Sequence, residues 1–562
     1  MTRTDVSTSD CVLLLRSNRA VSSYLDGYPA LPKASTEAVW ADAAGWAAEG
    51  QDADENTFKV ALHWGVPILR MEELAPDPDA IAQITPELAR RLRMVPLRAS
   101  KGLLAVAMED ASDTQAIDQL NFRLSLRVVP IAATPRAIRE GIANHFDRTE
   151  DAATVRLLGL DPHAEVGETT ALEAERLSLE QPVVRTVGEL IAGAVARRAS
   201  DIHLRPGEHG TDVLYRIDDE LVPVRRFMRA LQPAVVSRIK VLGNMNLAEH
   251  RRPQDGRTTF TLDDGRKIDL RISILPAVFG ESVVVRLLDV NEGLWNIEQL
   301  SLTQEDRERV NDVMARSHGM FLATGPTGCG KSTTLYAMLM ELRKQRINIL
   351  TIEDPVEFHI EDIQQMQVNR AANFTFASAM RNFLRHDPDV IMVGEIRDRE
   401  TAGIAVESAL TGHLVLSTLH TNTAATTITR LLDLGVEPYL LRASLLAVIA
   451  QRLVRLNCRH CIDVENPSPH IRATLGVTPD EVFHIGRGCS RCEGLGLHRR
   501  QAIYEMMVVS QRIQSLIVRD AEADAIHRVA VNEGMVPITQ AAVSLARTGA
   551  ISLAEAWRVR SD

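Results

Sequence analysis

The chain has no apolar run approaching the ~20 residues that span a bilayer. Its first residues hold only a short apolar run, Val12 to Leu15, too short for a secretory signal. These two absences predict a cytoplasmic protein whose membrane association is peripheral and made through partners. Basic residues are outnumbered: 63 Lys and Arg against 74 Asp and Glu give a formal net charge of −11. The whole-chain charge therefore does not suggest a nucleic-acid binder, although it leaves room for a local basic patch. Cysteine is scarce, with six in 562 residues. A disulfide framework is not expected of a cytosolic chain. A single core is excluded by length, which suggests roughly three or four domains.

What is present begins with Gly325-Pro326-Thr327-Gly328-Cys329-Gly330-Lys331-Ser332-Thr333, which fits G-x-x-x-x-G-K-[ST]. Apolar Met320 to Ala323 precede it and the helix-compatible run Thr334 to Leu342 follows, the strand–loop–helix context that the pattern requires. The glycines let backbone N–H groups turn inward around phosphate oxygens, and the start of the helix adds its positive dipole end. Lys331 is expected to reach the outer phosphates of ATP, and Ser332 to hold Mg²⁺.

The region from about Leu294 onward carries nearly continuous apolar runs at Met320–Ala323, Ile347–Ile352, Val390–Val393 and Leu414–Leu416, with helical stretches between them. That is the doubly wound α/β pattern, with ligand at the strand carboxyl ends. The second run ends in Glu353-Asp354-Pro355-Val356-Glu357. Carboxylates at a sheet edge are costly unless they face Mg²⁺, water or arginine, and one of these suits ordering the attacking water. The third run ends in Gly394-Glu395. A general P-loop ATPase places Asp before that Glu, so here Glu395 is expected to act alone, through Mg²⁺-bound water or by orienting the nucleophile. Asp387 and Asp389 lie at the other end of this strand. The fourth run is flanked by His413 and His420; a histidine at a strand's carboxyl end can sense γ-phosphate through a hydrogen bond. Asn422 is a candidate cap for the next helix.

Cys458-x-x-Cys461 and Cys489-x-x-Cys492 suit a closed, tetrahedral, structural Zn²⁺ site. Two redox-active pairs are the alternative, though neither has thioredoxin-like surroundings. His460, inside the first knuckle, is a rival ligand.

Upstream, helical periodicity is read around Ala38 to Gly50. A small α/β domain follows to Phe146, with strands at Met94–Leu97, Leu103–Met108 and Leu126–Ile131 and helices at Pro86–Arg93, Thr114–Phe122 and Thr134–Phe146. It carries no catalytic constellation and reads as a docking or regulatory module. Residues from 147 to about 180 are polar and acidic, without sustained apolar period, and read as a linker. A second domain starts near Pro182, with a helix over Val183 to Arg198, another over Gln232 to Leu247, and strands at Ile202–Leu204, Val213–Ile217, Ile268–Ile274 and Ser282–Leu288. It is dense in arginine, and Arg271 and Arg286 fall on neighbouring strand candidates. The expected division is 1–150, a linker at 151–180, 181–292, and 293–562 with a zinc-binding insert at about 455–500.

The four boxes, Gly325 to Thr333, Thr351 to Glu357, Val393 to Asp398 and Thr411 to Asn422, closely resemble those of the secretion ATPase superfamily. The four cysteines narrow the resemblance to the assembly ATPases of type II secretion systems and type IV pili. The second domain agrees through Ala199 to His203, Arg252 to Arg257 and Gly280-Glu281. The resemblance is strong over about 180–560 and weaker over 61–146. It implies a RecA-like ATPase core preceded by a PAS-like α/β domain and a small N-terminal α/β domain. It implies a homohexamer peripheral to the inner membrane, turning over ATP with Mg²⁺. Its partners would be a polytopic platform protein and a membrane-anchored docking protein bound through the N-terminal domain, with no nucleic acid. By resemblance Glu357 is the general base, Glu395 the Walker B glutamate and His420 the nucleotide sensor. Arg271 and Arg286 match arginines offered to the nucleotide, and Arg381 and Arg385 a further pair. Departures are Arg205 in place of an acidic residue, Asp218-Asp219 for the usual Asp-Gly turn, and Gly496 to Arg500 for a glycine-and-tyrosine segment. Some relatives bind cyclic di-GMP through an Arg-Leu-Gly motif, which this chain lacks, so that ligand is not expected. A pilus retraction motor, a scaffold that binds ATP without hydrolysing it, and a DNA-translocating relative are the competing readings.

Overall fold

The computed structural model describes residues 76–160, 171–289 and 295–561, apart from Lys101 and Glu493, together with short pieces of the first 75 residues. The helical periodicity read around Ala38 to Gly50 lies outside the described residues. The chain divides into two compact units, Met1–Leu288 with Arg487–Gly496, and Asp289–Gly486 with Leu497–Asp562.

In the first unit, strands Met94–Ser100 and Leu103–Met108 pair antiparallel, and Leu103–Met108 pairs parallel with Arg127–Ala132. Helices start where short polar side chains satisfy their first N–H groups. Asp113 accepts from the Ala116 N–H at 3.0 Å to open Thr114–Leu124, and Thr134 accepts from the Ala137 N–H at 3.2 Å to open Pro135–Ile142. Buried Leu120 and Ile138 join Leu104 to Ala107 in one core.

Beyond Ile142 the chain stays helical, through a π turn at Ala143–Asp147 into the helix Arg148–Leu157. The stretch read as a linker therefore begins as a helix, and Ala171–Ser178 is a second one. Its acidic residues are not all solvated. Asp147, 1 % exposed, accepts from Arg90 Nε at 2.9 Å; Asp151 accepts from Arg225 Nη2 at 2.7 Å and from the Met228 N–H at 2.8 Å. Paired carboxylates can take buried positions that apolar residues usually hold, so the apolar period is lost while the packing is kept.

The second sheet has the spatial order Gln254–Thr261, Lys267–Ala277, Gly280–Asp289, Asp201–Gly207, Gly210–Ile217, Glu220–Phe227. Helices Gln181–Ala196 and Gln232–Leu242 supply Val187, Ile191, Val235 and Ile239 to its core. Gly210–Ile217 alternates buried and half-buried, as a sheet covered on one face should. The two edge strands escape the sequence reading. Gln254–Thr261 alternates only half-buried with exposed residues, so it has no apolar face to detect.

The second unit is built on a seven-stranded sheet with the order Gln364–Gln367, Ile349–Glu353, Val390–Val393, Leu414–Leu419, Gly319–Thr324, Leu445–Asn457, Leu497–Val508. All neighbours are parallel except the last pair. Its central strands are buried along their length and feed two cores, one on each face. Met320 and Leu322 enter one, Phe321 and Ala323 the other. Both faces being covered is why these strands read as unbroken apolar runs. Their carboxyl ends bring Thr324, Glu353, Gly394 and Leu419 to one edge.

Candidate nucleotide site and metal centre

The glycine loop lies at that edge. Gly325, Gly328 and Gly330 have φ of +143°, +78° and +91°. Gly325 is required twice over, because a Cβ there would lie 2.5 Å from the Gln451 carbonyl oxygen and 2.7 Å from Cys329 Sγ. Gly330 caps the helix Lys331–Leu342, so the loop N–H groups and the helix N-terminus share one concavity. Lys331 Nζ donates to the carbonyls of Gly325 at 2.8 Å and Pro326 at 3.0 Å. Burial lowers the pKa of its ammonium. Ser332, Pro326 and Thr327 are exposed, and Thr333 is half-buried.

Gln451, which the motifs do not contain, holds the loop from beneath, and its neighbour Arg452 ties it to Asn422. Gln451 Nε2 donates to the Cys329 carbonyl at 2.7 Å, and Gln451 Oε1 accepts from Thr334 Oγ1 at 2.9 Å. Arg452 Nη1 donates to the Gln451 carbonyl at 3.0 Å and Arg452 Nη2 to the Asn422 carbonyl at 2.8 Å. The available signal was the abrupt Gln-Arg after the apolar Leu445 to Ala450, since Ala450 pairs with Thr324 at the sheet edge. Thr324 Oγ1 lies 2.7 Å from Thr421 Oγ1 and accepts the Thr421 N–H at 2.9 Å, which fixes the loop after the fourth strand.

The carboxylates separate by environment. Glu353 is buried, with its pKa raised by that burial, and accepts from Tyr336, Thr351 and Gln365. Asp354 faces Arg370 Nη2 at 3.1 Å. Glu357 is half-buried, and its N–H donates to the Tyr336 hydroxyl at 3.1 Å. Glu395 lies 2.6 Å from Arg397 Nε and 3.5 Å from His420 Nε2. Burial, then the nearby Lys331 ammonium, lower the His420 pKa, favouring the neutral imidazole. Lys331, Glu395 and His420 thus converge at one place.

Other candidates lie elsewhere. His413 precedes its strand, at the edge opposite the glycine loop, where Nδ1 is 3.0 Å from the Ser408 carbonyl oxygen. Asp389 is also at that far edge and accepts the Asn348 N–H at 2.7 Å. Asn422 does not cap the next helix. Thr423 does, accepting from the Thr426 N–H, because its extended backbone places its hydroxyl over the first turn. Arg381 is ion-paired with Glu400, and Arg385 donates to Asn382. Arg271 and Arg286 lie on adjacent strands of the first unit, with Arg286 Nε 2.9 Å from Asp201 Oδ1.

The Sγ atoms of Cys458, Cys461, Cys489 and Cys492 all lie within 4.8 Å of one another, a set able to hold a metal ion. Cys492 Sγ accepts N–H bonds from Cys489 at 3.1 Å and Gly496 at 3.2 Å. Exposed His460 is not in the group.

A buried parallel strand, a glycine loop and a helix with lysine at its head, flanked by acids and a histidine at neighbouring strand ends, define a P-loop nucleotide-binding α/β protein. The chain belongs to the type II/IV secretion system protein family, whose model matches residues 176–558; an MshEN domain model matches 64–152. It is 39 % identical over 505 residues to the type IV pilus assembly ATPase PilB of Thermus thermophilus, covering 88 % of this chain and 56 % of that protein. It is 46 % identical over 357 residues to type II secretion system protein E of Pseudomonas aeruginosa, covering 63 % of this chain and 71 % of that one. The chain thus spans little more than half the length of the Thermus relative. The X-ray structure of the Legionella pneumophila ATPase DotB aligns with a TM-score of 0.50 at 23 % identity, over 66 % of this chain and 94 % of that one, a likeness of fold. No helix among the described residues is long and apolar enough to cross a membrane.

Proposed function

We propose that this protein is a motor ATPase that hydrolyses ATP to power assembly of a type IV pilus or a type II secretion pseudopilus. The observation that carries the reading is the convergence of Lys331, Glu395 and His420 at the head of the phosphate-loop helix, with His420 Nε2 3.5 Å from Glu395. Backbone N–H groups from Gly325 to Thr333 bind the phosphates, and Lys331 neutralises their outer charge. Ser332, exposed at the start of the helix, suits Mg²⁺, which would offset charge on the β- and γ-oxygens. Glu357 takes the proton of the attacking water, and Glu395 orients that water. His420, held neutral, donates one N–H hydrogen bond to the γ-phosphate and reports its presence. Arg271 and Arg286 supply positive charge to the transition state when the second domain closes on the nucleotide, which makes closure a gate on hydrolysis.

The cysteine set suits structural Zn²⁺. Tetrahedral Zn–S bonds of ~2.3 Å place sulfurs about 3.8 Å apart, and the Cys489 and Cys492 sulfurs are 3.7 Å apart. The working form is a hexamer at the cytoplasmic face of the inner membrane. It acts on a polytopic platform protein and is held by a docking protein on its N-terminal domain. The named relatives include both pilus and secretion ATPases, so the client is decided by which genes lie beside this one: secretin and pseudopilin genes indicate secretion. ATP turnover by the purified full chain, measured against Lys331→Ala, tests the motor reading. Turnover that does not exceed that control refutes it.

A further inference from the structure

Tyr336 lies on the phosphate-loop helix, with its ring buried. Its hydroxyl donates to Glu353 Oε2 and accepts the Glu357 N–H at 3.1 Å. The other Glu353 oxygen accepts from Thr351 Oγ1 at 2.7 Å and Gln365 Nε2 at 3.1 Å. Gln365 also grips the following loop: Nε2 donates to the Phe358 carbonyl at 2.9 Å, and Oε1 accepts the Ile360 N–H at 2.7 Å. The Phe358 ring meets the Tyr336 ring edge-on, with centroids 6.0 Å apart.

The direction of every bond in this network follows from one group. Glu353 is met by a phenol, an alcohol and an amide NH₂, all able to donate, so it serves as an acceptor on both oxygens. That turns the Tyr336 hydrogen towards Glu353 and leaves the phenol lone pairs to receive the Glu357 N–H. The loop carrying Glu357 is thereby anchored at residues 357, 358 and 360, through Tyr336 and Gln365, and both of those are held by Glu353. Tyr336 shares a rigid helix with Lys331. The phosphate-binding lysine and the backbone of Glu357 are therefore referenced to one body.

We infer that Tyr336, held by Glu353, is a positioning residue that fixes Glu357 relative to the phosphate-loop helix. The inference rests on the assignment of Glu357 as general base. A base must be placed to a fraction of an ångström, while nucleotide binding by the loop does not depend on it.

The test is Tyr336→Phe in the full chain, with Glu353→Gln beside it. The second change keeps every heavy-atom position but turns an NH₂ either towards Tyr336 or towards both Thr351 and Gln365, and it carries the same expectation should the first melt early. Both are expected to lower kcat by roughly tenfold or more while the KM for ATP and the affinity for a non-hydrolysable analogue stay within about twofold. Hydrogen exchange at the Glu357 amide should rise while the helix Lys331–Leu342 stays protected. Wild-type kcat in both variants, or kcat and affinity falling together, overturns the inference. So does an unchanged Glu357 amide, whatever the turnover. Wild-type turnover no higher than that of Lys331→Ala overturns the ATPase reading instead.

Discussion

Replacing Gln451 by methionine isolates the support beneath the phosphate loop. Gln451 is fully buried, and the methionine is of similar length, so the change removes hydrogen bonds while leaving no large cavity. Two partners are affected. Thr334 can turn its hydroxyl hydrogen towards the Gly330 carbonyl one helical turn back, which recovers part of its loss. Among the described residues, the one hydrogen bond that reaches the Cys329 carbonyl from outside the loop comes from Gln451, at 2.7 Å. A buried group left without a partner costs about 1–3 kcal/mol, and the carbonyl should carry most of that. Because Cys329 lies inside the loop, the cost falls on the conformation that receives phosphate. Nucleotide affinity is expected to drop between about fivefold and a hundredfold, at roughly 1.4 kcal/mol per tenfold. Denaturant unfolding of the full chain should show a stability loss of about 1–3 kcal/mol. Titration with a fluorescent ATP analogue reads the affinity. A variant within about 0.5 kcal/mol of wild type, with wild-type affinity, would refute the claim that Gln451 shapes the loop.

Cys489→Ser removes one of four ligands and should take bound zinc from stoichiometric to near zero, with a lower melting temperature. Metal content by atomic emission and a melting scan check it; retained zinc with unchanged melting counts against the site. Burial pushes the Asp151 carboxyl from its ordinary 3.8 up to about 6. A folded-state pKa above the unfolded one gives stabilisation that is complete below about pH 3.8 and is lost as pH rises through about 6. The stability of wild type relative to Asp151→Asn should therefore fall by about 1–3 kcal/mol between roughly pH 4 and 7. A difference that does not vary with pH would show that Arg225 and the Met228 N–H fully compensate the burial.

What could be read from the chain alone follows the physics of each element. Val390–Val393 was legible because a strand buried on both faces is apolar at every position. Gln254–Thr261 was not, because an edge strand with one half-buried face carries no such pattern. The phosphate loop was legible because its geometry is local: glycines, lysine and serine act within nine consecutive residues. Gln451 was not, since its role depends on an approach to Cys329 across 122 positions of sequence. His413 and His420 flank the same strand, and only the strand's direction separates them. Glu353, Asp354 and Glu357 form one acidic cluster in sequence, and nothing in composition says that Glu353 is sheathed by Tyr336, Thr351 and Gln365.

That sheathing bears on the glycine that stands where most P-loop ATPases carry an aspartate. A Cβ at Gly394 would lie 3.3 Å from the Ile352 carbonyl oxygen and 3.4 Å from Glu353 Cα, so any side chain there presses on the strand that ends in the buried carboxylate. The Gly394 N–H also donates to the Ile352 carbonyl at 2.8 Å, which brings the two strand ends into close register. An aspartate at 394 would push against that pairing and place a second negative charge beside Glu353, whose burial already disfavours ionisation. Glycine keeps the two strands close and keeps the Glu353 network intact. Glu395, the next residue along, lies instead 3.5 Å from His420 Nε2. The substitution of glycine for aspartate and the burial of Glu353 are on this account one structural choice. The edge uses one carboxylate, Glu353, to hold the loop that carries Glu357, and leaves another, Glu395, beside His420 and Lys331.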